Sequence, residues 1–147
     1  LLSQFPDNDF QKNGLISYEN IEVQAKKVIE KFNVVTPGPD AKASSLSGGN
    51  LQKFVIGREI LSKPKLLIIS HPTWGIDAGA EHAIRQSLID LAKNGTSIIV
   101  ISQDLDELIE ITHRLSVIFN GKLSKSYDTR EISISQIGLL MGGHKVD

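Results

Sequence analysis

From Ser17 onward the apolar residues Ile21, Ala25, Val28, Ile29 and Phe32 return every three or four positions, the spacing of one face of a helix. Ser17 stands where an N-cap is wanted and Glu22 with Lys26 forms an i,i+4 pair, so a helix is predicted over about 18–31. Pro37-Gly38-Pro39-Asp40 then breaks regular structure, and small residues from Ala41 to Ser45 lead into Leu46-Ser47-Gly48-Gly49-Asn50. A second helix is predicted over about 50–61, stopped by Pro64. The first sixteen residues, with Pro6, Asp7, Asn8, Asp9 and Gly14, read as loop.

The rest of the chain alternates strand and helix. Leu66 to Ile69 and Ile98 to Ile101 are unbroken apolar runs of strand length, the pattern of strands buried on both faces. Between them Ala80, Ile84, Leu88 and Leu91 keep helical spacing, with Asp77 as N-cap and Asn94-Gly95 as the stop. Strand, crossover helix and parallel strand follow. A shorter helix is predicted over about 104–111, with His82 and His113 placed on helices, then a strand over 115–119. Asn120-Gly121 marks a tight hairpin into a strand over 122–127, and a last helix covers about 135–141.

Composition narrows the function classes. Sixteen Lys and Arg against seventeen Asp and Glu leave a formal charge of -1, which argues against a nucleic-acid partner needing clustered basic charge. With 147 residues, 40% hydrophobic and 22% charged, the chain suits an ordinary globular domain. The absence of cysteine removes disulfides, thiolate metal sites and Cys nucleophiles. No apolar run approaches the roughly 20 residues of a membrane span. The chain opens on Leu1 without a signal-peptide pattern, and the expectation is a piece of a longer polypeptide.

Ser47-Gly48-Gly49 at a helix start exposes backbone N–H groups without Cβ obstruction, and the helix dipole turns its positive end outward. That is an anion site suited to phosphate, although the same pattern also serves as loop and N-cap alone. Its context adds weight: about twenty residues on, a strand ends in Ser70-His71-Pro72-Thr73, Trp74-Gly75-Ile76-Asp77 follows, and a second strand ends in Ser102-Gln103-Asp104.

In this order and spacing the sequence resembles the nucleotide-binding domain of ABC transporters. Leu46 to Lys53 is similar to the family's signature motif, Leu66 to His71 falls where the Walker B strand belongs, Gly75-Ile76-Asp77 is similar to the D-loop, and Gln103 stands at the switch-histidine position. Pro72 to Ala80, with Asn50 after the signature glycines, resembles the bacterial importers of simple sugars and nucleosides, in the later part of their second nucleotide-binding domain. The resemblance implies an α/β fold: a partial P-loop NTPase-like domain, residues 1–147, whose helical part (1–62) carries the signature. Residues 63–147 then form a mainly parallel strand-helix core with Walker B, D-loop, switch region and a closing hairpin.

It further implies ATP and Mg²⁺ as cofactors in a completed composite site. The implied partners are a second nucleotide-binding domain, membrane permease subunits and, indirectly, a solute-binding protein, at the cytoplasmic face of the plasma membrane. Ser47, Gly48, Gly49, Asn50 and Gln52 would bind nucleotide held by the facing domain, and Asp77 would contact that domain as well as cap its helix.

Two departures stand out. A P-loop needs Gly, four residues, then Gly-Lys-Ser/Thr, but the lone Gly-Lys pair, Gly121-Lys122, follows no such glycine and precedes Leu123. The chain by itself is therefore expected to be inactive. Where the resemblance implies an Asp for Mg²⁺ and a catalytic Glu, the chain has Ser70 and His71. A hydroxyl does not replace a carboxylate at a hard cation. His71 either serves as a base or marks a site released from hydrolysis, and Gln103 fits the second reading because an amide cannot relay a proton.

His82, His113 and His144 carry no metal-ligand spacing, so no metal site of the protein's own is expected. Trp74 reads as a packing or interface residue, and Asp104, Asp106, Glu107 and Glu110 as a solvated helix start. Two rivals remain: a non-transport ABC ATPase, and a non-catalytic remnant whose sheet exposes an edge and an apolar face.

Overall fold

The computed structural model describes residues 10–12 and 15–146; the loop expected over 1–9 lies outside the described residues. Within it the order is β1 (Gln11–Lys12), β2 (Leu15–Ile16), α1 (Tyr18–Lys31), α2 (Gly48–Leu61), β3 (Leu66–Ser70), α3 (Ala78–Lys93), β4 (Ser97–Ile101) and α4 (Leu105–Ile111). There follow β5 (Arg114–Leu115), β6 (Ile118–Phe119), β7 (Lys122–Leu123), β8 (Tyr127–Asp128) and α5 (Ile134–Met141). A single 3-10 turn, Ala43–Ser45, precedes the second helix. The chain divides into two compact units, residues 1–99 and 100–147.

In the first unit α1 packs on α2 and α2 on α3. The helix 18–31 has the predicted ends, and its Glu22–Lys26 pair closes at 2.6 Å. Ser17 occupies the cap position without a side-chain cap bond. The helix ends with Asn33 in the left-handed region, φ 51, while Asn33 N–H donates to Glu30 O and Val34 N–H to Ile29 O, a Schellman ending. That reversal turns Phe32 and Val34 into the interior. Gly57 of α2 lies against the Phe32 ring so closely that a Cβ there would overlap it.

β3 and β4 pair, with α3 as the crossover. Thr96 Oγ1 donates to Pro64 O at 2.7 Å and Ser97 N–H to Lys65 O at 3.0 Å, which sets the entry of β4 beside the start of β3. Asp77 caps α3, and Gly95 at φ 96 ends it in a second Schellman turn. The expectation of strands buried on both faces is corrected. Along β3 only Leu67 and Ile69 are buried, whereas Ile68 is 61% and Ile99 of β4 51% exposed. The pattern is that of a two-stranded sheet covered on one side.

The second unit holds a separate core of Leu115, Ile132, Ile137 and Leu140, flanked by Leu105, Ile109, Val117, Tyr127 and Val146. β5 pairs with β8 and β6 with β7, both antiparallel. Asn120 (φ 47) and Gly121 (φ 72) make the predicted tight hairpin. The strands expected over 115–119 and 122–127 are each interrupted, because Ser124 Oγ takes the Val117 N–H at 2.9 Å in place of a ladder bond. α5 begins at Ser133 with a full capping box to Gln136.

Three further expectations change. Residues 11–12 and 15–16 form a small antiparallel pair, not loop. α4 stops at Ile111, so His113 lies beyond the helix, on the surface. Glu107 in the acidic run is 1% exposed: the helix turns it inward while Asp104 caps from outside.

Replacing Gly57 by Ala is expected to cost about 1–3 kcal/mol, because the added methyl meets a buried aromatic ring. Denaturant unfolding of the chain with Gly57→Ala, compared at equal m-value, measures this.

Candidate nucleotide site

The start of α2 and the loop between β3 and α3 are built against each other. Ser47 is the N-cap of α2: its Oγ accepts from Asn50 N–H at 3.4 Å and from Asn50 Nδ2 at 3.0 Å. An oxygen accepting both still has its own O–H proton to donate outward, to an anion at the helix end. Gly48 has open space where a Cβ would be, so its backbone is free to be approached. The fourteen-residue α2 adds the positive end of its dipole at this point.

Gly49 serves a different need. A Cβ on Gly49 would lie 2.7 Å from the carbonyl oxygen of Gly75, so only glycine lets the helix start touch this loop. Gln52, one turn on, donates from Nε2 to His71 O at 3.0 Å, and the same carbonyl accepts Trp74 N–H at 3.2 Å. His71 holds φ 48, a left-handed conformation uncommon for a residue with a side chain. Its ring meets Trp74 edge to face, centroids 5.3 Å apart at 81°, while Trp74 itself is 70% exposed. Asn50 is committed within the scaffold too, since its Oδ1 accepts Val35 N–H at 2.9 Å.

Lys53 closes the contact. It is 7% exposed, on the buried stripe of α2 with Ile56, Gly57 and Ile60, and its Nζ lies 2.9 Å from Asp77 Oδ2 and 3.4 Å from Asn33 O. Asp77 uses its other oxygen, Oδ1, to accept Ala80 N–H at 3.0 Å and cap α3. Lys53 first, and then the Ala80 amide, hold the Asp77 carboxyl below its usual 3.8. Motif reading passed over Lys53 as a working residue. Its signal was present, however: a lysine in phase with the buried positions of a helix calls for a partnered interior.

The predicted site residues thus fall into groups. Ser47, Gly48, Gly49, Asn50 and Gln52 share the start of α2, and Gln52 and Gly49 bring it onto the loop bearing His71 and Asp77. Ser70 ends β3, exposed. Gln103 belongs to the second unit, on the exposed stretch after β4. Among the described residues no three of His, Cys, Asp or Glu gather as a metal group, and Ser70 and His71 supply no carboxylate. That donor set does not fit Mg²⁺, which favours anionic oxygen.

The architecture defines a class: an ABC ATPase-like α/β fold. Solved structures share it at low identity, among them a dimeric ATP-binding cassette in a post-hydrolysis state bound to ADP and Pi. That match has TM-score 0.69 and 22% identity, and covers 84% of this chain and 53% of the cassette. Another is the ATP-binding subunit of an ABC transporter, with TM-score 0.71 and 19% identity over 88% of this chain and 57% of that one. No family model matches the chain.

Sequence relatives are nearer. The galactose/methyl galactoside import ATP-binding protein of Escherichia coli O6:K15:H31 is 41% identical over 133 residues, 90% of this chain. The nucleoside import ATP-binding protein of Lactococcus lactis is 38% identical over 92% of it, and the glucose import ATP-binding protein of Haloferax volcanii 35% over 97%. Its homologues are thus ATP-binding proteins of sugar and nucleoside import. It spans about a quarter of their length, 26% or 27%.

Because the Asp77 pKa is lower folded than unfolded, its pairing stabilises the chain fully above the unfolded value of 3.8 and is lost as pH falls through the folded value. Asp77→Asn keeps the cap and loses the charge. Its deficit in thermal midpoint against the parent is therefore expected to be largest near neutral pH and to shrink on acidification below pH 3.8. A pH series of melting curves for the two proteins checks this, and a constant deficit contradicts it.

Proposed function

We propose that this chain is part of the ATP-binding component of an ABC importer for sugars or nucleosides. In this reading it supplies a signature turn to a composite ATP site completed by a second nucleotide-binding domain. The observation that carries it is the start of α2: a capping Ser47, an open Gly48 and outward backbone N–H groups, in a family whose relatives are named as import ATP-binding proteins.

Ser47, Gly48 and Gly49 face the phosphates held by the facing domain, while Asn50 and Gln52 brace that turn through Val35 and His71. Ser70 and His71 mark the chain's own site as degenerate, a hydroxyl and an imidazole replacing the groups that organise metal and water, and Gln103, at the switch position, carries an amide that cannot relay a proton. The two sites are thus unequal. ATP binding supplies the energy of domain closure, and the residues of this chain position and neutralise phosphate charge without forming a covalent bond to it. Permease subunits, and through them a solute-binding protein, are the further partners, on the cytoplasmic face of the membrane. No described helix is long and apolar enough to cross a membrane.

ATP hydrolysis is to be measured for the chain alone and mixed with a purified cassette that carries a P-loop, at matched Mg²⁺. Activity is expected in the mixture only, abolished by Ser47→Arg, and held within about twofold by His71→Ala. Hydrolysis by the chain alone, or a large loss with His71→Ala, overturns the assignment.

A further inference from the structure

Three contacts join the first two turns of α2 to the loop before α3: Gly49 against the Gly75 carbonyl, Gln52 to the His71 carbonyl, and Lys53 to the Asp77 carboxylate. They differ in kind. The first is a matter of space, the second a neutral hydrogen bond, and the third a charge pair with one end buried and the other in solvent. Only the third reaches more than two elements, because Lys53 Nζ also touches Asn33 O at the end of α1 and Asp77 also caps α3. One ammonium group from the body of α2 therefore meets the ends of two other helices, α1 and α3.

We propose that Lys53 is a positioning residue that fastens the signature turn to the 71–77 loop, so that Ser47–Gly49 and His71–Asp77 move as one body. The inference rests on the functional reading above, in which the turn faces the partner's nucleotide and the loop faces its own. A change at one site then reaches the other through this joint without passing through the rest of the domain. A buried ammonium allows this because its position is narrowly set: away from Asp77 and the Asn33 carbonyl it would be left in the interior uncompensated. Arginine, with the same charge and longer reach, keeps most of this function; methionine, which fills similar space, keeps only the packing.

The test compares Lys53→Met, Lys53→Arg, Asp77→Asn and the double variant Lys53→Met/Asp77→Asn in two ways. In the ATPase mixture, Lys53→Met is expected to lower kcat about tenfold or more with KM for ATP within about twofold, since a misplaced turn weakens the transition state and not nucleotide capture. Lys53→Arg restores kcat to within about threefold, and the double variant is no worse than the worse single one. On the full 147-residue chain, hydrogen exchange of Lys53→Met is expected to speed up together at Asn50, Leu51, Ala80 and Glu81, with α5 unchanged.

A kcat within about twofold of the parent, or losses that multiply in the double variant, overturns the proposal. Should the parent mixture show no ATPase sensitive to Ser47→Arg, the functional reading fails while exchange still judges the joint. Coordinated loss of protection supports one body, and loss confined to α2 refutes it.

Discussion

Lys53 is the point on which the first unit turns. A lysine on the inner stripe of a helix is a cost unless an anion meets it, and Asp77 does so from the loop that ends at α3. The pairing decides where α2 lies, because its first turn must bring Gly49 flush to Gly75 and Gln52 within reach of His71 at the same time. It also decides the course of the chain after α1, since Asn33 in its left-handed conformation offers its carbonyl to the same ammonium. A turn that presents backbone N–H groups to an anion is only as well placed as the helix behind it, and here that helix is held at both its polar and its apolar positions.

The sheet tells a complementary story. β3 and β4 read as fully buried strands yet expose Ile68 and Ile99, because the layer that covers Leu67 and Ile69 lies on one side of the sheet alone. The strand end carries the chemical departure as well: Ser70 and His71 stand where the family resemblance implies carboxylates, while the loop that follows packs closely against α2. At this loop the contact with α2 depends on His71 through its backbone carbonyl, so it tolerates a change of side chain chemistry.

The long periodic elements were legible. The helix over 18–31 and the crossover helix capped by Asp77 needed only apolar spacing, a cap and a stop, and the Asn120-Gly121 turn needed only its two residues. The interrupted strands around Val117 were not legible, since a serine hydroxyl seven residues away replaces a ladder bond there. Nor was the inward turn of Glu107, whose neighbours in sequence are the charged residues of a solvated helix start.

The candidate site divides along the same line. Local chemistry determined by the sequence alone includes the Ser-Gly-Gly turn at a helix start, the want of a P-loop and the neutral residues at the end of β3, since each depends on adjacent positions. The tertiary structure alone decided that Lys53, Gln52 and Gly49 meet residues about twenty places away, and that Asn50 is tied to Val35. Such contacts depend on the angle at which α2 crosses the loop. That angle is set by the bulk of Phe32 against Gly57 and by one buried charge finding its partner, which no local pattern encodes.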